Sequence, residues 1–262
     1  MTGEENILLK AVLDDPNNDD PRFGYAGWCE RQSDEPIKAR AGFIRAQISL
    51  VNDFNSLSYE QWFDLANRAE KLRNTYSSDW AGSLNTLVDE YTFDRGFIAL
   101  VALSAGSFLN RAAELLALAP IRHLKLTEVL PVAEELFAST HLENIVSLDI
   151  SQCRLGDRHL AMLAESPVLQ NLKWLSVADN NIGFDGADDL AGSALSMQLV
   201  YVDFYGNPVD PGGRYSMDNE VVLDSWLPEA GERLEAEHGY LAWLHRDVDT
   251  IHELVPDRFR LT

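Results

Sequence analysis

The hydrophobic positions in the second half of the chain recur in a fixed pattern. Stretches beginning at Ile121, Ile145, Leu172 and Leu199 each follow the order apolar-x-x-apolar-x-apolar, and their starts lie 24, 27 and 27 residues apart. A weaker copy begins at Ile98. Because alternate side chains of a strand point to opposite faces, the core of each copy predicts a short strand with one buried face.

Each predicted strand is followed by a turn and a segment with helical spacing, such as GDRHLAMLAES or FDGADDLAGS. One strand-and-helix unit cannot bury its apolar side alone, so neighbouring units must stack. The pattern therefore predicts an α/β fold: a solenoid of about five repeats over residues 93–212, with short parallel strands on the concave face and helices on the convex face.

The flanking segments, 1–92 and 213–262, lack the repeat pattern. In the first segment, stretches such as ILLKAVLDDP, IKARAGFIRAQISLV and DWAGSLNTLVDEY have helical spacing. Pro21 suits the first turn of a helix, and Ser58 suits an N-cap. Because the ends of a stacked array expose apolar surface, we expect 1–92 to be a helical N-terminal domain and 213–262 a C-terminal cap.

Residues 98–212 resemble a leucine-rich repeat, and the length and helical half of the copies resemble the ribonuclease-inhibitor-like subclass. The position that this family fills with Asn or Cys is occupied by Cys153, Asn180 and Asn207. The resemblance implies that these side chains turn inward and hydrogen-bond the loop backbone, which would otherwise be buried unpaired.

The segment DDPNNDDPRFGYAGWCERQSDEPIKARAGFIRAQISL resembles the repeat-companion domain that precedes leucine-rich repeats in bacterial proteins. The matching residues are Asp15, Pro16, Asp20, Pro21, Arg22, Tyr25, Ala26, Trp28, Arg40, Ala41, Phe43, Ile44, Arg45 and Gln47. Gly27, Cys29 and Gly42 depart from the family pattern. The resemblance implies no activity. We expect Arg22, Arg40 and Arg45 to pair with nearby carboxylates, with a ligand site as the alternative.

An acidic run after the third predicted strand raises the question of a metal. Its alternate positions, spaced as in a twelve-residue calcium loop, hold Asp179, Asn181, Gly183 and Asp185. Such a loop needs Gly at its sixth position and Glu at its twelfth, where this chain has Phe184 and Leu190. We therefore interpret the run as part of the repeat, near a helix N-terminus that favours acids, and expect no metal and no cofactor.

Charge narrows the classes of partner. The chain has 42 acidic and 21 basic residues, a net charge of −21, spread over its whole length. Such a protein repels nucleic acid and anionic membranes and attracts cationic partners, although solubility alone would also explain the charge. The apolar runs are too short to span a bilayer, the N-terminus lacks a signal-peptide pattern, and the two cysteines suit reduced, buried thiols. We expect a cytoplasmic protein.

Sequence motifs give no support to an enzyme. The six histidines form no H-E-x-x-H, and the chain contains no C-x-x-C, Walker-type loop or G-x-S-x-G elbow. The carboxylates are too numerous for one pair to be singled out. A non-enzyme is therefore expected, and an enzyme or metal protein that uses loop carboxylates is kept as an alternative.

The alternating strand positions are expected to face solvent on the concave side and to form the site. They include Trp174, Tyr201 and Tyr205 beside three carboxylates, a combination suited to a basic protein partner. The predicted partner-binding residues are His123, Lys125, Asp149, Trp174, Asp179, Tyr201, Asp203 and Tyr205. The alternative is that the C-terminal segment or a second copy of the chain covers the rings.

The charge and the repeat architecture together predict a protein-binding module. The sequence does not fix its oligomeric state, and a monomer is the default expectation. A stoichiometric inhibitor, such as a bacterial immunity protein that masks a basic toxin, is one form that this function could take. A structural or self-assembly role is the remaining alternative.

Overall fold

The computed structural model describes residues 3–53, 55–210 and 228–245. Over these ranges the chain is an α/β protein, as predicted, with ten α-helices and a mixed six-stranded sheet whose strands lie in chain order. The chain divides into two compact units. Unit 1 comprises Met1–Val101 and Ala113–Ile121, and unit 2 comprises Ala102–Ala112 and Arg122–Thr262.

Unit 1 begins with five helices: α1 (Gly3–Asp14), α2 (Asp20–Glu30), α3 (Glu35–Asn52), α4 (Tyr59–Ala81) and α5 (Leu84–Leu87). The predicted N-cap is confirmed, because Ser58 forms a capping box with Gln61 at the start of α4. A proline stands in the first turn of α2, also as predicted. The short helix predicted over DWAGSLNTLVDEY is wrong: α4 and α5 share that segment, and a strand begins at Glu90.

A β-hairpin follows α5; the weak copy at Ile98 indicated its second strand, whereas its first strand and the pairing were not predicted. Its strands, β1 (Glu90–Asp94) and β2 (Phe97–Ser104), are joined by Arg95 and Gly96, whose φ angles are 45° and 84°. Two consecutive positive φ angles are typical of the hairpin turn that matches the strand twist. A Cβ on Gly96 would lie 2.1 Å from Cγ1 of Ile44 in α3, so only glycine lets this turn pack on the helix.

A buried arginine ties the α1–α2 connection to the hairpin. Arg22 donates from Nη2 to the carbonyl of Pro16 at 2.8 Å and from Nη1 to the carbonyl of Arg95 at 3.3 Å. Arg95 in turn donates to Asp19 Oδ1 at 3.1 Å. These bonds connect the α1–α2 segment to the turn between β1 and β2.

The three arginines expected to form ion pairs differ in their contacts. Arg22 has Asp19 Oδ1 at 3.8 Å, and Arg45 pairs with Glu30 at 3.1 Å. Arg40 departs from the expectation, because no carboxylate among the described residues lies within 4.0 Å of it. Its Nε and Nη2 instead donate to the carbonyl of Gly96, each at 3.3 Å.

Unit 2 contains four short strands, which lie where the four copies of the apolar pattern predicted them: β3 (His123–Thr127), β4 (Ser147–Asp149), β5 (Trp174–Ser176) and β6 (Tyr201–Asp203). They pair in parallel. The helix before β3 is α6 (Ala105–Leu118), and the helices between the strands are α7 (Ala133–Phe137), α8 (Asp157–Ala164) and α9 (Phe184–Ala191). One-turn 3₁₀ helices span Leu130–Val132 and Thr140–Leu142.

The strands of unit 2 share one row of core side chains. Leu124, Leu148, Leu175 and Val202 are register partners across the four strands, and all four are almost fully buried. Burial of an aliphatic side chain of this size contributes roughly 1.5–3 kcal/mol. Successive side chains of a strand alternate between the two faces. The residues immediately before and after each of these four therefore point to the opposite face of the sheet.

The described part of the predicted C-terminal cap packs against the last strand region. It comprises α10 (Pro228–His238) and a 3₁₀ turn at Ala242–Leu244. Trp243 is fully buried, lies 6.0 Å from the ring of Phe204, and donates from Nε1 to Ser196 Oγ at 2.9 Å. Leu234 of α10 is also buried. The rest of the predicted cap, including Trp226 and Leu227, lies outside the described residues.

Candidate protein-binding site

The parallel register of unit 2 arranges the predicted site residues in two rows on one sheet face. The first row is His123, Ser147, Trp174 and Tyr201, and the second is Lys125, Asp149, Ser176 and Asp203. Adjacent strands of a sheet lie about 4.8 Å apart, so neighbours in a row are within contact distance. We call these eight residues, together with Asp179 and Tyr205, the site face.

Much of the first row is buried, which contradicts the expectation that these positions face solvent. Trp174 is only 8 % exposed and His123 only 7 %, and Ser147 is buried as well. Ser176 and Ala178 are buried in the same way, as are Leu100 and Ala102 of β2. In a sheet of short parallel strands each side chain has a close neighbour on the next strand, and that contact excludes water.

The accessible part of the site face consists of Tyr201, the three charged residues of the second row and the two residues beyond the strand ends. Tyr201, Asp203, Lys125 and Asp149 are half-buried, and Tyr205 is 38 % exposed. Asp179 is exposed as well. The predicted surface is therefore narrower than the sequence suggested.

Two aromatic rings form the centre of the site face. Trp174 and Tyr201 are register partners, and their rings stack with centroids 5.3 Å apart and an interplanar angle of 4°. A stacked pair of this kind contributes roughly 0.5–1.5 kcal/mol beyond its buried area. Trp174 is the buried member of the pair and supports the ring of Tyr201, which is half-buried.

Two carboxylates of the site face are held by their own backbone. Asp149 Oδ1 accepts from the N–H of Ser151 at 2.9 Å, and Asp203 Oδ1 accepts from the N–H of Tyr205 at 3.0 Å. Such short-range bonds fix the side chain at the end of its strand. The same geometry on β4 and β6 thus orients two negative charges on one side of the sheet.

Asp179 joins these carboxylates through the backbone beyond β5. It has a positive φ of 52°, and its N–H donates to the carbonyl of Tyr205 at 2.7 Å. Its Oδ2 accepts from Gln152 Nε2 at 3.4 Å. The structure therefore brings Asp179 beside Tyr205, as the predicted site requires.

The residues at the Asn/Cys position bond the loop backbone, as the resemblance implied. Asn180 Oδ1 accepts from the N–H of Cys153 at 3.0 Å and of Leu155 at 2.9 Å, and its Nδ2 donates to the carbonyls of Ile150, Val177 and Ala178. Asn207 repeats this arrangement: Oδ1 accepts from the N–H of Ile182, and Nδ2 donates to the carbonyls of Val177 and Phe204. The acidic run around Asn180 is thus built on this turn.

The histidine of the site face has a buried partner. His123 Nδ1 lies 3.0 Å from Ser147 Oγ, between β3 and β4. The expectation that His123 is an exposed strand residue is wrong, because the neighbouring strand covers it. With Ser147 almost fully buried, its hydroxyl is not accessible to a substrate.

Both cysteines are buried, as predicted. Burial raises the pKa of the Cys29 thiol to about 12, and burial also raises the pKa of Cys153. A thiol is nucleophilic as the thiolate, so neither side chain suits nucleophilic catalysis near neutral pH.

One group of side chains has donor atoms close enough to hold a metal, and sequence reasoning missed it. The donor atoms of Asp188, Glu237 and His238 all lie within 4.8 Å of one another, and His238 Nε2 is 2.8 Å from Asp188 Oδ1. The three residues come from α9 and α10, so no local motif signals them. An imidazole and two carboxylates suit zinc or a similar ion.

Comparison with known proteins does not assign the chain to a family. No family model matches the chain, and no curated protein matches it. Within the described residues, no helix is both long enough and apolar enough to cross a membrane.

Proposed function

We propose that unit 2 is a leucine-rich repeat solenoid, with unit 1 as its repeat-companion domain, and that the site face binds another protein. The repeated parallel strands and the two inward-turned asparagines support the repeat assignment. The observation that supports the functional proposal is the pair of rows on the site face. These rows bring together residues that are up to 78 positions apart in the chain, from His123 to Tyr201. An array of this kind suits recognition of a folded surface.

The partner is a basic protein on this proposal. The site face contains three carboxylates, Asp149, Asp179 and Asp203, and one lysine, Lys125, and the chain carries a net charge of −21. The ring of Tyr201 and the exposed ring of Tyr205 supply apolar area beside these charges. Aromatic rings flanked by carboxylates are suited to lysine and arginine side chains, through ion pairs and through contact with the ring face.

A non-enzymatic inhibitor is the form of this function that we favour. A stoichiometric inhibitor needs a stable complementary surface and no reactive group, and an immunity protein masking a basic bacterial toxin meets both conditions. Buried thiols of raised pKa are compatible with the reducing environment of the cytoplasm, which we propose as the location.

Charge-neutral variants of the same shape test the site. Asp149→Asn and Asp203→Asn keep the oxygen that accepts from the backbone and remove the charge. The double variant and the wild type would be used as bait in native lysate at low salt, with Glu143→Gln/Glu165→Gln, two exposed carboxylates elsewhere in unit 2, as the matched control. Bound proteins would be identified by mass spectrometry, and Kd measured across a salt series.

The expected result is one basic partner, bound one to one, with a Kd that rises with salt and rises roughly tenfold in the double variant. The control should bind as the wild type does. Equal binding by the double variant would show that the partner does not bind at the site face. An acidic or neutral partner would contradict the electrostatic part of the proposal.

A metal-binding role is the second candidate, and the Asp188–Glu237–His238 cluster is the observation that favours it. Its ligands are side chains of α9 and α10, whereas the sequence suggested carboxylates in loops. Elemental analysis of purified protein, beside His238→Ala, tests this role. One ion per chain that the variant lacks would support it, and equal metal content in both would count against it.

A further inference from the structure

Unit 1 contains a cavity of about 340 Å³ between its helices and the hairpin. This volume is at the lower end of the range of roughly 300–1,000 Å³ found for small-molecule sites. Part of its wall is apolar, formed by Leu9, Ile37, Trp80 and Leu84. A cavity of this size and lining is suited to one small molecule with an apolar group.

Arg40 is the one basic residue of the described lining, and it is fixed in place. Its Cζ lies 4.8 Å from the ring centroid of Phe97 and 5.3 Å from that of Tyr25. Its Nε and Nη2 share the carbonyl of Gly96. Because no carboxylate among the described residues pairs with it, this half-buried guanidinium retains the ability to bind an anion.

Three acidic residues also line the cavity: Glu5, which accepts from the hydroxyl of Tyr25 at 3.3 Å, and Asp34 and Asp79, which are exposed. They outnumber the single cation, so a multiply charged anion such as phosphate is disfavoured. A simple cation is disfavoured in turn by the charge of Arg40. The charge pattern therefore selects a ligand that carries one negative and one positive group.

We propose that this cavity binds a zwitterionic α-amino acid with an apolar side chain. The carboxylate pairs with Arg40, whose planar fork matches its two oxygens. The ammonium group lies toward the three carboxylates, and the apolar side chain packs against Trp80, Ile37 and Leu84. This site is separate from the site face and does not depend on the proposal made for it.

Calorimetric titration of the full-length protein with defined probes tests the ligand class. L-leucine and L-phenylalanine should bind one to one and saturably. L-leucine methyl ester lacks the carboxylate and N-acetyl-L-leucine lacks the ammonium group, so each should bind at least about tenfold more weakly than L-leucine. Inorganic phosphate should not compete. Equal binding of the ester, or no saturation by either amino acid above roughly ten millimolar, overturns the proposal.

Two variants test the cavity itself. Arg40→Met removes the charge but keeps an unbranched side chain against the two rings, and it should abolish saturable binding of L-leucine. Arg45→Met is the matched control, because Arg45 is an ion-paired arginine outside the lining, and it should bind as the wild type does. Ile37→Trp fills the cavity and keeps Arg40, and it should also abolish binding.

Circular dichroism and thermal unfolding would show that each variant is folded. If Arg40→Met does not fold, Ile37→Trp decides alone. Binding that persists in a folded Arg40→Met or Ile37→Trp variant overturns the proposal.

Discussion

At the scale of single residues, the most informative side chains are polar groups that the chain buries. Asn180 satisfies two backbone N–H groups and three carbonyls of neighbouring turns, and Asn207 acts in the same way one repeat later. A buried backbone group without a partner costs about 1–3 kcal/mol. These amides therefore allow sharp turns to be repeated inside a packed unit.

Replacement of Asn180 by alanine should destabilise the protein by about 2–4 kcal/mol, because several backbone groups would lose their partner at once. The matched control is Asn181→Ala, at the next position, where the side chain is exposed; it should change stability by no more than about 0.5 kcal/mol. Urea denaturation followed by circular dichroism measures both. Equal loss in the two variants would show that the amide bonds of Asn180 are not what stabilises the turn.

The environment of Arg40 could not be predicted from its residue type alone. Among many carboxylates, an ion pair is the natural expectation for this arginine. The folded chain instead places its guanidinium over the rings of Tyr25 and Phe97 and within hydrogen-bond distance of one carbonyl. Its neighbours come from α2 and the hairpin, at positions 15 and 57 residues away in the chain, so local sequence holds no signal for this environment.

At the scale of elements, α8 and α9 pack closely because a glycine of α9 faces the backbone of α8. In α9, Gly186 lies against Asp157 of α8: a Cβ on Gly186 would be 2.6 Å from Asp157 Oδ1 and 2.9 Å from Asp157 Cα. The same Oδ1 accepts from the N–H of Gly183 at 2.6 Å. Because one of the clashing atoms is backbone, a side-chain rotation alone cannot relieve the contact.

Gly186→Ala should therefore destabilise the protein by about 1–3 kcal/mol, since α8 and α9 must move apart. Gly27→Ala is the matched control: Gly27 is also helical, in α2, and a Cβ added to it would meet no atom within 4 Å. That change should stabilise by about 0.5–1 kcal/mol, because glycine loses more entropy than alanine in a helix. Thermal unfolding of both variants measures the difference, and a stable Gly186→Ala protein would contradict the packing argument.

The stability of the region around α10 should depend on pH through Glu235. Its Oε1 accepts from the N–H of Leu241 at 3.0 Å and lies 2.6 Å from His245 Nε2. The bond from Leu241 and then that from His245 lower the pKa of this carboxyl. A lowered folded-state pKa means that the carboxylate stabilises the fold above the pKa of the unfolded chain, and that this stability is lost as pH falls through the folded-state pKa.

We therefore expect part of the stability of the Trp243 region to disappear on acidification below about pH 4.5. Glu235→Gln, which keeps an acceptor for Leu241, should be less stable than the wild type near neutral pH and should lose this part of the acid dependence. Glu232→Gln, an exposed glutamate of the same helix, is the control. Tryptophan fluorescence during urea denaturation at a series of pH values measures the effect, and parallel pH profiles for all three proteins would contradict it.

The hydrophobic pattern missed the first strand and the turn of the β-hairpin, whereas the weak copy at Ile98 indicated the second strand. Tyr91 and Phe93 alternate with polar residues, and Gly96 stands at the turn, so the signal for two strands is present in the sequence. The helical spacing of the preceding segment continues into β1, and the apolar run FIALVALS also fits a weak repeat. Short apolar runs are compatible with either kind of element, and packing on α3 decides between them.

At the scale of the whole molecule, the dominant property is the excess of acidic residues. A net charge of −21 places like charges over the whole folded protein, and their repulsion opposes the compact state. Salt shortens the range of this repulsion, from a Debye length of about 30 Å at 0.01 M to about 8 Å at 0.15 M.

The melting temperature should therefore rise when NaCl is increased from about 0.01 M to 0.15 M. A variant with four exposed carboxylates replaced by amides, Glu60→Gln/Asp64→Asn/Glu143→Gln/Glu165→Gln, should melt higher at low salt and respond less to NaCl. Differential scanning calorimetry measures both proteins. A melting temperature that falls with salt would show that favourable ion pairs outweigh the general repulsion.

The sequence by itself determined the periodic part of this protein. The spacing of apolar residues located β3–β6, because a buried row needs one side chain at every second position of each strand. The turn chemistry of Cys153, Asn180 and Asn207 was implied by the resemblance to leucine-rich repeats, in which these side chains satisfy the backbone of a buried turn. The apolar spacing and the turn residues are both local features of the sequence. Each can therefore be recognised within a single segment of the chain.

Only the tertiary structure decided which of these residues water reaches and which distant groups meet. Parallel pairing buries Trp174 and His123 against their neighbours and leaves Tyr201, Tyr205 and the carboxylates as the accessible part of the site face. Folding likewise brings Arg40 to a cavity and His238 to Asp188. Exposure and long-range proximity depend on how all elements pack together, and periodicity within a single segment does not contain that information.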